Sequence, residues 1–241
     1  MYGVGVLLLV AVLFAPEQQH THRWFLLPRN VQFQPSEVMK IAYVVALAWY
    51  LRYRRDVREL RGLIVPFVLT AVPMMLILKE PDLGTAALFP LVLYAMLVAA
   101  GARLRHLAAI AVMTVVAVPG AYPFMKPYQQ KRVDAFYKQF MGTADAAHYQ
   151  AEGYQQRQAE MVLGAGGLTG QGPEAAEHLR QGALWGDYTD FIFAVIGEEF
   201  GFVGCLLVLG LYLAFLGASL EIAGSTKDPF ARLMVVGVGG Q

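Results

Sequence analysis

Long apolar runs recur along this chain, each closed by a short charged or proline-bearing segment: 4–15, 36–51, 63–78, 86–100, 107–122 and 190–217, with another opening at Met234. A helix rises ~1.5 Å per residue and bilayer hydrocarbon is ~30 Å thick, so the longer runs have the length of membrane spans. The run at 4–15 is too short to cross and reads as a span clipped at its start. Composition agrees: 57% of residues are hydrophobic and 15% charged, where a soluble domain carries about 25% charge. The chain is therefore expected to be an all-α polytopic membrane protein. It reads as a multi-span helical bundle over residues 1–241, with a long extracytoplasmic loop at 123–188.

Charge sets the orientation. Arg52, Arg54, Arg55, Arg58 and Arg61 crowd one short loop, which the positive-inside bias places in the cytoplasm. Arg103 with Arg105, and Lys227 with Arg232, mark later cytoplasmic turns. The Arg23-Trp24 loop, the Lys79–Thr85 turn and the 123–188 loop then lie outside, with Trp24 suited to the interface. Ser36 and Thr189 are expected N-caps. Pro81 is expected to break the chain between two spans, with Gly84 permitting a close approach. A net charge of +1 argues against a nucleic-acid partner. The single cysteine, Cys205, reads as a small buried apolar residue. His20 and His22 have no carboxylate or cysteine cluster beside them and read as exposed loop residues. The first residues carry no signal-peptide pattern, and the last stop inside an apolar run.

Several polar residues stand where a bilayer makes them costly. Asp190 is expected in the first turn of the run after the long loop, where a carboxylate suits the positive helix end. Glu198 and Glu199 lie about two turns deeper, and acids at membrane depth are candidate functional groups. Glu37 and Lys40, three residues apart, share one helix face; an interfacial ion pair and a substrate-facing pair both fit. Asp82 marks the next outer turn. The long loop supplies Lys126, Lys131 and Arg132, a helical stretch at Tyr154–Leu163, and the glycine run 164–172, which reads as a flexible or tightly turned loop rather than a nucleotide fingerprint. Basic side chains of this kind hold phosphate oxygens and stabilise a phosphate leaving group. A carboxylate at the surface can act as general base on a sugar hydroxyl. An anionic substrate with a lipid tail suits the set.

The motifs stand in a recognisable order: Phe33-Gln34-Pro35-Ser36-Glu37 with Lys40; Glu80-Pro81-Asp82-Leu83-Gly84-Thr85-Ala86; Lys126-Pro127-Tyr128-Gln129 followed by Arg132-Val133; Gly153-Tyr154-Gln155; the glycine run; and Thr189-Asp190-Phe191 through Glu199. Together they resemble the SEDS family, the RodA, FtsW and SpoVE proteins of bacterial cell-wall synthesis, leaning slightly towards the RodA-like branch. The resemblance implies a multi-pass protein of the bacterial inner membrane that polymerises lipid II into peptidoglycan strands on the outer face. It also implies a class B penicillin-binding protein as partner. Asp190 matches the family's essential aspartate, implied to be the general base of an inverting glycosyl transfer. A divalent cation (Mg or Mn) held by the same aspartate is the alternative role. Arg132 is implied to contact pyrophosphate, and Glu37, Lys40 and Asp82 to line the central cavity. The chain departs from the family at Trp185-Gly186-Asp187-Tyr188 and in a long Tyr137–Gln150 segment. It reads as a fragment lacking the family's first spans and its C-terminal end.

Two other functions are weighed against the glycosyltransferase. A lipid II transporter needs polar groups at the bilayer midplane, which Glu198 and Glu199 could supply but Asp190 and Asp82 could not. A non-catalytic scaffold would tolerate loss of the Asp190 carboxylate. The spans Leu63–Leu78 and Asp190–Gly217 are expected to dock the partner's transmembrane helix.

Overall fold

The structure, a computed structural model, describes residues 1–14, 24–27, 31–54, 56–80, 82–124, 130, 133–134, 154–172 and 191–241. Among them the architecture is helical apart from one hairpin. In hydrocarbon each backbone amide and carbonyl must find a partner inside the protein, and the helix does this locally. The helices are α1 (Tyr2–Val12), α2 (Pro35–Leu51), α3 (Leu60–Lys79), α4 (Leu83–Ala99), α5 (Leu104–Ala121), α6 (Tyr154–Ala165), α7 (Ile192–Ser225) and α8 (Pro229–Gly239). Of these, α3 and α7 are each long and apolar enough to cross a bilayer. At 17 residues, α2 and α4 sit at the short end of the ~17–25 that a span needs.

Two compact units make up the chain. The first comprises Met1–Thr114 and Phe215–Gln241. In it α2 is the central element, packed against α1, α3, α4 and α8. Leu9, Met39, Tyr43, Leu47, Phe89, Leu93, Met96 and Leu233 form its buried core. The Tyr43 and Phe89 rings meet at 5.0 Å. The Tyr43 hydroxyl pairs with that of Thr70 at 2.8 Å.

One of the two interior prolines of α3, Pro73, has a visible remedy. Pro73 has no amide to give, so the carbonyl one turn back, at Leu69, loses its helical donor. The Tyr2 hydroxyl of α1 donates to that carbonyl at 2.7 Å. A backbone hydrogen bond missing from one helix is thus replaced by a side chain of another.

Three expectations change. The segment after Arg23-Trp24 is not all loop: β1 (Phe25–Leu27) and β2 (Val31–Phe33) pair antiparallel, Phe25 opposite Phe33. Ser36 is not the N-cap of α2. Gln34 occupies that position and Pro35 opens the helix, its fixed φ being suited to the first turn. Ser36 is one residue further in, fully buried, its hydroxyl without a hydrogen-bond partner among the described residues. The run expected to stop at Gly217 continues to Ser225, and the next helix starts at Pro229 rather than Met234. Asp228 caps α8, its carboxylate accepting from the Phe230 and Ala231 amides at 3.2 Å each.

The second unit, Val115–Ala214, contains α6 and most of α7. Helix α7 is broken at Gly201, whose backbone (φ 65°, ψ −163°) lies in a region open essentially to glycine alone.

Candidate functional site

Within the first unit the sequence-selected polar residues gather where α2 and α4 begin. Lys40 Nζ lies 2.9 Å from Glu37 Oε2, with Glu37 more than half exposed and Lys40 largely covered. The Glu37–Lys40 spacing therefore produces a real ion pair, on the face the helical repeat requires. Asp82 is the N-cap of α4. Its Oδ1 accepts from the Thr85 amide at 3.1 Å and its Oδ2 from the Thr85 hydroxyl at 2.9 Å. Gln34 Nε2 approaches Asp82 Oδ2 at 3.5 Å and so joins the starts of the two helices. The Asp-x-x-Thr spacing at Asp82 and Thr85 carries this capping signal in the sequence. Among the described residues a close approach at Gly84 is not seen: a side chain there would meet the Asp82 carboxylate at ordinary contact distance. Of the neighbouring pair, Glu80 is buried and Lys79 exposed.

Within the second unit the glycine run and the broken helix form one structure. At the break, the amides of Phe202 and Val203 lose the carbonyls of Glu198 and Glu199, their usual helical acceptors. All four groups are re-paired by the loop that follows α6. Phe202 donates to the Gly167 carbonyl at 2.9 Å and Val203 to the Leu168 carbonyl at 3.1 Å. Gln171 donates to the Glu198 carbonyl at 2.9 Å and Gly172 to the Glu199 carbonyl at 3.0 Å. The loop is thus tightly turned and works as a short pairing strand inside the helix break. Gly166 allows this approach: a Cβ there would collide with the Gly197 carbonyl. The Glu198 side chain is fully buried beside this junction, and Glu199 is half-buried.

One further arrangement was not anticipated. The Tyr122 hydroxyl donates to the Asp134 carboxylate at 2.8 and 2.9 Å, and Gln130 Nε2 donates to the Tyr122 carbonyl at 2.9 Å. Residues on either side of Lys131 and Arg132 are thereby tied to one tyrosine. Nothing in the spacing of Tyr122, Gln130 and Asp134 announces it. Asp190, Thr189, Lys126, Lys131 and Arg132 lie outside the described residues, and the described part of α7 starts at Ile192. Among the described residues, no three acidic, histidine or cysteine side chains converge as a metal site would require.

A family model described as "Cell cycle protein", that of FtsW, RodA and SpoVE, matches residues 1–240. The chain belongs to the FtsW/RodA/SpoVE family. Within this family it is 33% identical over 242 residues to the Escherichia coli (strain K12) protein named peptidoglycan glycosyltransferase MrdB, covering 99% of this chain and 63% of that one. It is 31% identical over 244 residues to the Geobacter sp. (strain M18) protein named "Probable peptidoglycan glycosyltransferase FtsW", covering 98% and 63%. Both branch names thus occur among its relatives at similar identity. The chain spans less than two thirds of the length of these two relatives. Among solved structures it is similar to a chain from the study "Structural coordination of polymerization and crosslinking by a peptidoglycan synthase complex", with a TM-score of 0.78 and 28% identity over 99% of this chain and 65% of that one. The Thermus thermophilus rod shape determining protein RodA matches with a TM-score of 0.63 and 26% identity, over 99% and 60%. As a family member the chain is a multi-span helical membrane protein.

Proposed function

We propose that the protein is the membrane glycosyltransferase of a cell-wall synthesis complex, polymerising lipid II on the outer face of the bacterial inner membrane. The observation that carries this reading is the alignment, along nearly the whole chain, with a relative named peptidoglycan glycosyltransferase. In this reading Asp190 is the general base: its carboxylate takes the proton of the acceptor sugar 4-hydroxyl as that oxygen attacks the donor anomeric carbon with inversion. Arg132, with Lys126 and Lys131, takes up the charge of the departing pyrophosphate. The Tyr122 clasp supports this assignment of Lys131 and Arg132, because it fixes both flanks of their short segment. Glu37 with Lys40 forms the rim of the cavity, and Asp82 holds that rim by capping α4.

A divalent cation bound by Asp190 would offset pyrophosphate charge. The partner in this reading is a class B penicillin-binding protein. The exposed apolar surfaces of α3 and of α7 are, each by itself, the candidate docking surfaces for its transmembrane helix; crosslinks from that helix to other spans only would overturn both.

The deciding experiment is lipid II polymerisation by the full-length protein with its transpeptidase partner, wild type beside Asp190→Asn. Glycan chains from the wild type and none from a folded mutant support the reading. Equal chains from both remove Asp190 from the chemistry. Buried Glu198 beside a broken helix is the feature a transporter would share. Lipid II crossing vesicles without any polymer would favour that function instead.

A further inference from the structure

We propose that Val162 of α6, through its packing with Phe191, is a positioning residue for Asp190; the inference rests on the reading of Asp190 as general base and deepens it. At Gly201 the backbone leaves the helix, so the long inner part of α7 does not set the direction of the outer segment, Ile192 to Phe200. That segment takes its direction from α6 and the glycine loop. The loop holds its base, where the amides of Gln171 and Gly172 donate to the Glu198 and Glu199 carbonyls at 2.9 and 3.0 Å. Helix α6 holds its flank. Val162 is fully buried with Ala194, and Ala159 and Phe191 pack against that pair. One turn further along, Gly197 lies against Leu163, so closely that a side chain at Gly197 would collide with it. Residues 191, 194 and 197 of the outer segment share one helical face, and residues 159, 162 and 163 share the facing side of α6.

Phe191 is the residue bonded to Asp190, and it is held twice. Its carbonyl accepts from the Ala194 and Val195 amides at 2.9 and 3.2 Å, which ties its backbone to the first turn of α7. Its side chain packs on Val162 and Ala194, which ties it to α6. From Ile192 to Phe200 the segment is about 13 Å long at ~1.5 Å per residue, so a tilt of ~5° about the break moves its start by ~1 Å. A misplacement of ~1 Å at a reacting group can cost ~100-fold in rate. Val162 is itself fully buried, so it touches no substrate and acts only by fixing Phe191 and the segment that follows. The break and the packing thus have one consequence: the residue next to the base is set by a helix that lies elsewhere in the sequence.

The test is lipid II polymerisation by the full-length protein with its transpeptidase partner, with kcat and KM measured separately. Val162→Ala and Phe191→Ala each loosen the contact, and each lowers kcat about tenfold or more while KM stays within about twofold. Phe191→Leu keeps most of the packing and recovers most of kcat. Val92→Ala makes the matching change in the core of the first unit and leaves kcat as in the wild type. Wild-type kcat in folded Val162→Ala and Phe191→Ala overturns the proposal, and so does an equal fall in Val92→Ala, which would show general loosening. Asp190→Asn in the same assay separates the two levels. An inactive Asp190→Asn beside a fully active Val162→Ala sinks the positioning role alone, whereas full chains from Asp190→Asn sink the general base and the positioning role together.

Discussion

Gly201→Ala tests the account of the broken helix most directly. Gly201 adopts φ 65° and ψ −163°, and a non-glycine residue held there costs ~1–3 kcal/mol. A Cβ at this position would also collide with the Gly170 amide nitrogen and the Leu168 carbonyl group. The loop would have to withdraw, breaking at least two of the four backbone hydrogen bonds that close the junction. At ~1 kcal/mol net each, the total loss is about 3–5 kcal/mol. Gly210→Ala is the control: it lies in the same helix with open space around its Cβ, and alanine there should be neutral or stabilising by up to ~1 kcal/mol. The assay is thermal unfolding in detergent together with amide hydrogen exchange. For Gly201→Ala the unfolding midpoint should fall and the amides of Gln171, Gly172, Phe202 and Val203 should exchange faster. An unchanged midpoint with unchanged protection of those amides would refute the argument.

Two further substitutions probe the first unit. Asp82→Ala removes both acceptors for Thr85 and should cost ~1 kcal/mol, as loss of an N-cap does; Asp82→Asn should recover most of it in the same thermal assay, and equal losses would show the cap to be unimportant. Tyr2→Phe strands the Leu69 carbonyl and should cost ~1 kcal/mol, within the ~0.6–1.7 measured for hydrogen bonds between membrane helices. The loss should shrink in a Pro73→Ala background, where the amide returns, and an equal loss in both backgrounds would contradict the proposed repair.

The helices were legible because apolar runs and arginine loops are written directly in the residue order. Their ends were less so where two signals compete at one place. At Pro35-Ser36, the hydroxyl suggests a cap, but proline at the next position back already fixes the first helical turn. At Asp228-Pro229 the cap and the opening proline were both present in the sequence, yet the hydropathy of the later residues drew attention to Met234. The ion pair of Glu37 and Lys40 follows from spacing along one helix and could be read. The capping role of Asp82 could also have been read, from Thr85 three residues on. The Tyr122 clasp and the pairing of 167–172 with α7 could not, since each joins segments whose proximity depends on the folded chain.

The glycine junction also bears on how two acids are accommodated deep in an apolar helix. The segment of α7 before Gly201 ends with carbonyls that carry the negative end of a helix dipole. Glu198 and Glu199 sit in that last turn, where their carboxylates would face like partial charge. The amides of Gln171 and Gly172 donate to those two carbonyls and reduce it. The loop therefore does more than close a gap in the helix: it reduces the negative partial charge at the helix end that carries the buried Glu198. The glycine run and the helix end that carries the two glutamates are thus one structural element, since unpairing the loop leaves the Glu198 and Glu199 carbonyls without donors.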